Sequence, residues 1–174
     1  MSSSLSLSLL SNANWQCLFP GGITRAAHAV LAVSYRYLSM SKYDAAAFCL
    51  EECALHDPMN HILHCRLGEV YYTLGIEYFA TARKYFAQSL EIKPKGNARA
   101  LHGLAGCCHA MACSADKMSR EQSGRPEVTA ALHEHASAEL GALYRKGSGP
   151  MAPVLEALLE LQRSDIAAQA AGGE

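Results

Sequence analysis

Two stretches of this chain, AAAFCLEECALHDP (Ala45–Pro58) and TARKYFAQSLEIKP (Thr81–Pro94), align with each other when their prolines are superposed. The alignment pairs Ala46 with Ala82, Leu50 with Phe86, Cys53 with Ser89 and Pro58 with Pro94, each pair 36 residues apart. Each stretch follows another run with helical spacing that ends in tyrosine. Before the first stand Val30, Val33, Ser34 and Tyr37; before the second stand His64, Leu67, Gly68 and Tyr71. These runs are offset by 34 residues, so the second unit has a turn two residues longer, near Leu74–Gly75–Ile76–Glu77.

Steric rules explain the pattern. Two antiparallel helices touch closely only where side chains are small, so Ser34 or Gly68 is expected to face Ala46 or Ala82. The larger Tyr37, Leu50, Leu67, Tyr71 and Phe86 fill the space to either side. Pro58 and Pro94 cannot continue the second helix of their units and force a turn. A small-residue–tyrosine helix followed by an Ala-x-x-x-aromatic helix and a proline, repeating at about 34 residues, has the period of tetratricopeptide repeats. The predicted fold is therefore all-α: tetratricopeptide-type helical hairpins forming a short right-handed solenoid. Composition agrees, because alanine occurs 29 times while Val, Ile and Thr together occur 14 times, which disfavours a large sheet.

The rest of the chain extends this reading. Leu101, Leu104, Ala105 and Cys108 repeat the first-helix spacing. A polar loop over Ser114–Pro126 and a helix over about Pro126–Arg145 complete a looser third pair. A last helix near Pro153–Arg163, with Leu155, Leu158, Leu159 and Gln162 at helical spacing, is expected to cap the stack. Residues 23–163 thus form one repeat domain of about three helix pairs and a capping helix. Residues 1–22, with six serines among the first eleven, read as a disordered leader, and 164–174 as a flexible tail. The leader is a poor secretory signal, having no basic residue before Leu5–Leu10 and polar interruptions at Ser6 and Ser8. No apolar run reaches the ~18 residues of a membrane span.

Little in the chain suggests chemistry. A formal charge of -1 gives no basic face for nucleic acid. The seven cysteines are odd in number and form no C-x-x-C pair, and most lie in apolar helical runs, which points to a reducing compartment. Cys107, Cys108, His109 and Cys113 lack the second ligand pair of a zinc site, so neither metal nor cofactor is expected. His133 and His135 read as solvated. No phosphate-binding glycine loop and no convergent nucleophile–base pair are evident, so the chain reads as a non-enzyme.

A repeat stack offers surface instead, with its first helices lining a concave groove. By spacing, Leu31 and Tyr35 in the first unit, Ile62, Cys65, Glu69 and Tyr72 in the second, and Arg99, His102 and His109 in the third are the groove candidates. That lining is too poor in cations to clamp a chaperone's acidic C-terminus, since Glu69 would repel it. A free adaptor binding such a tail or a peptide is the second reading, behind a broad protein interface.

Several strings resemble subunit 2 of the ER membrane protein complex. They are KYDAAAFCLEE (Lys42–Glu52), HILHCRLGEVYYTLG (His61–Gly75), ARKYFAQSLEIKPKGNARALHGL (Ala82–Leu104) and, near the end, VLEALLELQ (Val154–Gln162). The likeness covers roughly Val30–Ala112. It implies a non-enzymatic tetratricopeptide scaffold on the cytosolic face of the endoplasmic reticulum, peripheral to the membrane through other subunits of the complex. That complex inserts transmembrane segments and tail anchors. Members of the family begin with several further helices, so the resemblance implies an N-terminally truncated form; Met1–Gly22 and the Ser114–Pro126 loop match nothing in it.

Repeat stacks need about three units, and here two are regular and one is loose. The isolated chain is expected to be marginally stable. A cooperative melt well above the ~45–65 °C usual for mesophilic domains contradicts this.

Overall fold

The computed structural model describes residues 23–113, 126–147 and 151–171. The expected leader and the polar loop beyond Cys113 lie outside the described residues. Among those described there are α-helices, one short 3-10 turn and no strand. The fold is all-α. The chain divides into two compact units, Met1–Pro58 and Met59–Glu174.

In the first unit, α1 (Ile23–Ser39) packs against α2 (Tyr43–His56) as a hairpin. The turn between them is closed by the Ser41 and Lys42 amides donating to the Leu38 and Tyr37 carbonyls, both at 3.0 Å. Ser34 is buried, and its hydroxyl donates to the Leu31 carbonyl at 2.7 Å, so this small polar residue carries no unpaired group into the interior. Ala46, Ala47, Cys49, Leu50 and Cys53 are the buried positions of α2. The helix ends at His56, two residues before Pro58, whose ring disfavours helical backbone in the residue preceding it.

The second unit begins with α3 (His61–Leu74), a 3-10 turn (Ile76–Tyr78) and α4 (Phe79–Ile92). Asn60 caps α3, its side chain accepting from the Ile62 amide at 3.1 Å. Gly75 ends the helix at φ 125°, ψ -175°, a conformation a side chain rarely adopts. It opens the longer turn anticipated there. Then follow α5 (Ala98–Cys113), α6 (Pro126–Lys146) and α7 (Ala152–Ala171). Proline at the first position of α6 loses no helical bond. Helix α5 packs on α4, α6 and α7, and α7 also lies along α6.

Close approach at α4 organises this unit. The Phe86 ring is buried and lies against Gly68 of α3 and Gly103 of α5. A Cβ added at Gly68 would stand 2.8 Å from the ring, and one at Gly103 would overlap the same ring more deeply. The glycine in α3 therefore admits an aromatic ring; the expectation from sequence had it meeting the small Ala82. Ala82 is itself fully buried in the same core, together with Cys65, Leu101, Leu104, Cys107, Cys108, Leu140 and Leu159.

A polar knot fixes the ends of three helices. The Ser89 hydroxyl donates to the His61 carbonyl at 2.7 Å, and the Asn97 amide donates to Ser89 Oγ at 3.0 Å and to its carbonyl at 3.3 Å. The Asn97 side-chain oxygen accepts from the Ala100 amide at 3.4 Å, capping α5. Thus Cys53 and Ser89, paired by the repeat alignment, are both buried, while Ser89 also carries the hydrogen bonds that start the next helix.

Three expectations change. Helix α7 continues eight residues past Arg163, to Ala171, because Ile166 is buried and Ser164 and Asp165 do not break a helix. Leu158 faces outward with Val154 and Leu161, while Leu155, Leu159 and Gln162 turn inward. His133 is buried rather than solvated, its Nε2 lying 3.3 Å from Gln162 Oε1 and its carbonyl accepting from Ser137 Oγ at 2.7 Å. A helical period could not reveal that α7 covers this residue.

Two predictions follow from these contacts. Gly103→Ala and Gly68→Leu each destabilise the fold by about 1–3 kcal/mol, through overpacking against Phe86. Combining Gly103→Ala with Phe86→Leu recovers part of that loss; strict additivity in denaturant melts contradicts the shared contact. Burial, with the charges of His109 and Arg163, holds His133 below its ordinary value despite the Gln162 hydrogen bond. The unfolded chain binds this proton near pH ~6.5. Stability is complete above that value and falls as pH drops through the lowered native value. Urea midpoints at pH 7.5 and 5.5 measure the loss, and His133→Gln reduces it.

Candidate protein-interaction surface

Surface exposure, more than any reactive group, marks the candidate site. In the first unit, Leu31 is half-buried and Tyr35 is exposed, while the packing residues Ser34, Ala46 and Leu50 are buried and Tyr37 is partly so. In the second unit, Leu67, Gly68, Ala82 and Phe86 are buried and Tyr71 is partly so. Tyr71 stacks on Tyr85 at 5.5 Å and tilts against Tyr78 at 5.9 Å, giving the hairpin an aromatic ladder. The two repeat prolines, Pro58 and Pro94, are exposed beyond their helices.

The proposed groove residues divide by environment. Ile62 and Tyr72 are exposed, and Tyr72 stacks on Phe79 at 4.9 Å. Cys65 is buried in the core cluster that also holds Ala82 and Phe86, so it lines no surface. Arg99 grips Glu69 through both guanidinium arms, Nη2 standing 2.6 Å from Oε2, and Arg66 lies 3.7 Å from the same oxygen. Such a fork is stronger than an ordinary surface pair. His102 meets the Tyr144 hydroxyl of α6 at 3.1 Å, edge-on. His109 meets Asp165 of α7 at 3.3 Å. These two histidines therefore brace α5 against α6 and α7, contacts their i, i+7 spacing could not disclose.

The arrangement suppresses thiol chemistry. Burial pushes the Cys107 thiol up to about 12 and the Cys108 thiol up to about 11. Cys53 and Cys65 are pushed up to about 11, again chiefly by burial. A nucleophilic cysteine needs the opposite shift. Cys113 is exposed, and burial and Asp165 raise its thiol as well. Its sulfur lies 3.5 Å from His109 Nε2, yet no group of three or more His, Cys, Asp or Glu side chains among the described residues could hold a metal ion. No helix among them is long and apolar enough to cross a membrane.

Sequence reasoning missed part of the exposed apolar surface. Phe48, Leu55 and Met40 are exposed in the first unit; Ile76, Met151, Val154 and Leu161 are exposed in the second. Hydrophobicity alone cannot say which side of a helix is covered.

No family model matches the chain. It is 45% identical over 69 residues to ER membrane protein complex subunit 2 of Xenopus tropicalis, and 45% identical over 69 residues to subunit 2-A of Xenopus laevis. Against subunit 2-B of Xenopus laevis the identity is 44% over 69 residues. Each match takes in 39% of this chain and 23% of the relative's own length. Over that stretch the chain is similar to ER membrane protein complex subunit 2, and it spans less than a quarter of the curated relatives it matches.

Proposed function

We propose that this chain is a non-enzymatic helical-repeat scaffold of the ER membrane protein complex. It lies peripherally on the cytosolic face of the endoplasmic reticulum and supports insertion of transmembrane segments and tail-anchored proteins. The observation that carries this reading is the 45% identity to subunits 2 of that complex. The geometry supports it. Buried thiols with raised pKa values are poor nucleophiles, and many large apolar side chains stand exposed, as docking surfaces do. The chain acts by burying those side chains against other subunits, holding the cytosolic parts of membrane-spanning partners in place.

The alternative, a free adaptor that clamps an acidic C-terminus, is weakened by the surroundings of Arg99. The guanidinium of Arg99, which would have to receive the carboxylate, is already forked onto Glu69. Affinity purification of the full chain from detergent-solubilised endoplasmic reticulum tests the proposal. Co-purification with membrane-spanning subunits of the complex in near-stoichiometric amount is the expected result. Their absence, together with micromolar binding to an acidic C-terminal peptide, overturns it in favour of the adaptor.

A further inference from the structure

His133 is 1% exposed, its ring held between α6 and α7. Gln162 Oε1 of α7 accepts from Nε2 at 3.3 Å, so the neutral ring carries its proton there and leaves Nδ1 bare. Ser137 Oγ lies 3.5 Å from Nδ1, beyond a normal N–H···O bond. Its own hydrogen already goes to the His133 carbonyl at 2.7 Å. A second proton on this ring therefore enters the interior without a strong acceptor.

The surrounding charges do not offset that cost. His109 of α5 and Arg163 of α7 both oppose a positive charge on the ring, and no carboxylate among the described residues counters them. Asp165 of α7 and the Cys113 thiol of α5 sit against His109 instead, 3.3 and 3.5 Å from its Nε2. Arg83 of α4 reaches α6 one turn before His133, at the Thr129 hydroxyl, 3.3 Å away. Glu134 and His135, next to His133 on α6, are exposed. Little else holds α7 in place: Leu159 and Ile166 are the buried ones among its described side chains. A closing helix with so few buried contacts opens locally at lower cost than the core beneath it.

We infer that α7 is an acid-released cover: protonating His133 undocks α7 from α5 and α6 while α3 and α4 stay folded. This goes beyond the scaffold reading and does not depend on it. Release uncovers the part of the core cluster that Leu159 closes, which includes Leu104, Cys108 and Leu140.

The direction follows from linkage. With α7 undocked, His133 meets water and titrates near ~6.5; with α7 docked, burial holds it lower. Docking is at full strength above the undocked value. Below it, docking weakens by up to about tenfold per pH unit until the docked value is reached. His109 works in the opposite sense, because its ion pair with Asp165 exists only when the imidazole is protonated. Those two side chains are 27% and 58% exposed, and a pair so exposed is worth about fivefold at most in such an equilibrium. The buried ring decides the outcome.

Hydrogen–deuterium exchange of the full chain at pH 7.5 and 5.5, corrected for intrinsic exchange rates, tests this segment by segment. Peptides spanning Leu155–Ile166 are expected to lose about tenfold in protection at pH 5.5. They then exchange at least about tenfold faster than the interiors of α3 and α4. The loss is absent in His133→Gln. Gln162→Glu reverses its sign, because a carboxylate there pairs with the protonated ring and protects α7 better at pH 5.5 than at 7.5. Protection of α7 equal to that of α3 and α4 at pH 5.5 overturns the inference. So does a protection that does not change with pH, or a loss that persists in His133→Gln. If His133→Gln does not fold, Gln162→Glu decides, and an α7 still less protected at pH 5.5 in that variant overturns it.

Discussion

The second unit depends on how near three helix backbones come to one aromatic ring. Phe86 projects from α4 into a slot whose walls are the bare Cα atoms of Gly68 and Gly103. Any side chain at either wall would occupy space that the ring now fills, so α3 and α5 could not both lie against α4 as they do. Once that spacing is set, the buried Cys107, Cys108, Leu101 and Leu104 follow on the inner face of α5, and α6 and α7 close over them through Leu140 and Leu159.

The polar residues of this interior serve the same end. Asn97 ties the end of α4 to the start of α5, and Ser89 ties α4 to the start of α3. Buried groups satisfied in this way fix helix register as well as contributing stability. The histidines join neighbouring helices: His102 to Tyr144, His109 to Asp165, His133 to Gln162. Each of these histidines is thereby engaged in a contact between helices.

Helix type and order, and the ends marked by proline or glycine, were legible in the sequence because they follow from local rules, whereas the end of α7 was not. Apolar spacing marked each helix, proline marked where α2 and α4 stop, and glycine marked the long turn at Gly75. The candidate surface was legible only in part. Ile62, Tyr72 and Arg99 are exposed, yet Cys65, from the same reading, belongs to the core. One helical position in three or four shares a face, and the period leaves open whether that face meets solvent or a neighbour.

What the sequence determined by itself was the all-α character and the two hairpin units, since the 34- and 36-residue offsets and the small residues are properties of the chain alone. Tertiary structure decided the rest. It made Phe86 the partner of Gly68, buried His133 under α7, and turned Leu158 outward while Leu159 turned in. Each outcome depends on where a helix distant in sequence comes to lie. Such long-range placement is set by the sum of many contacts, so no single stretch of residues encodes it.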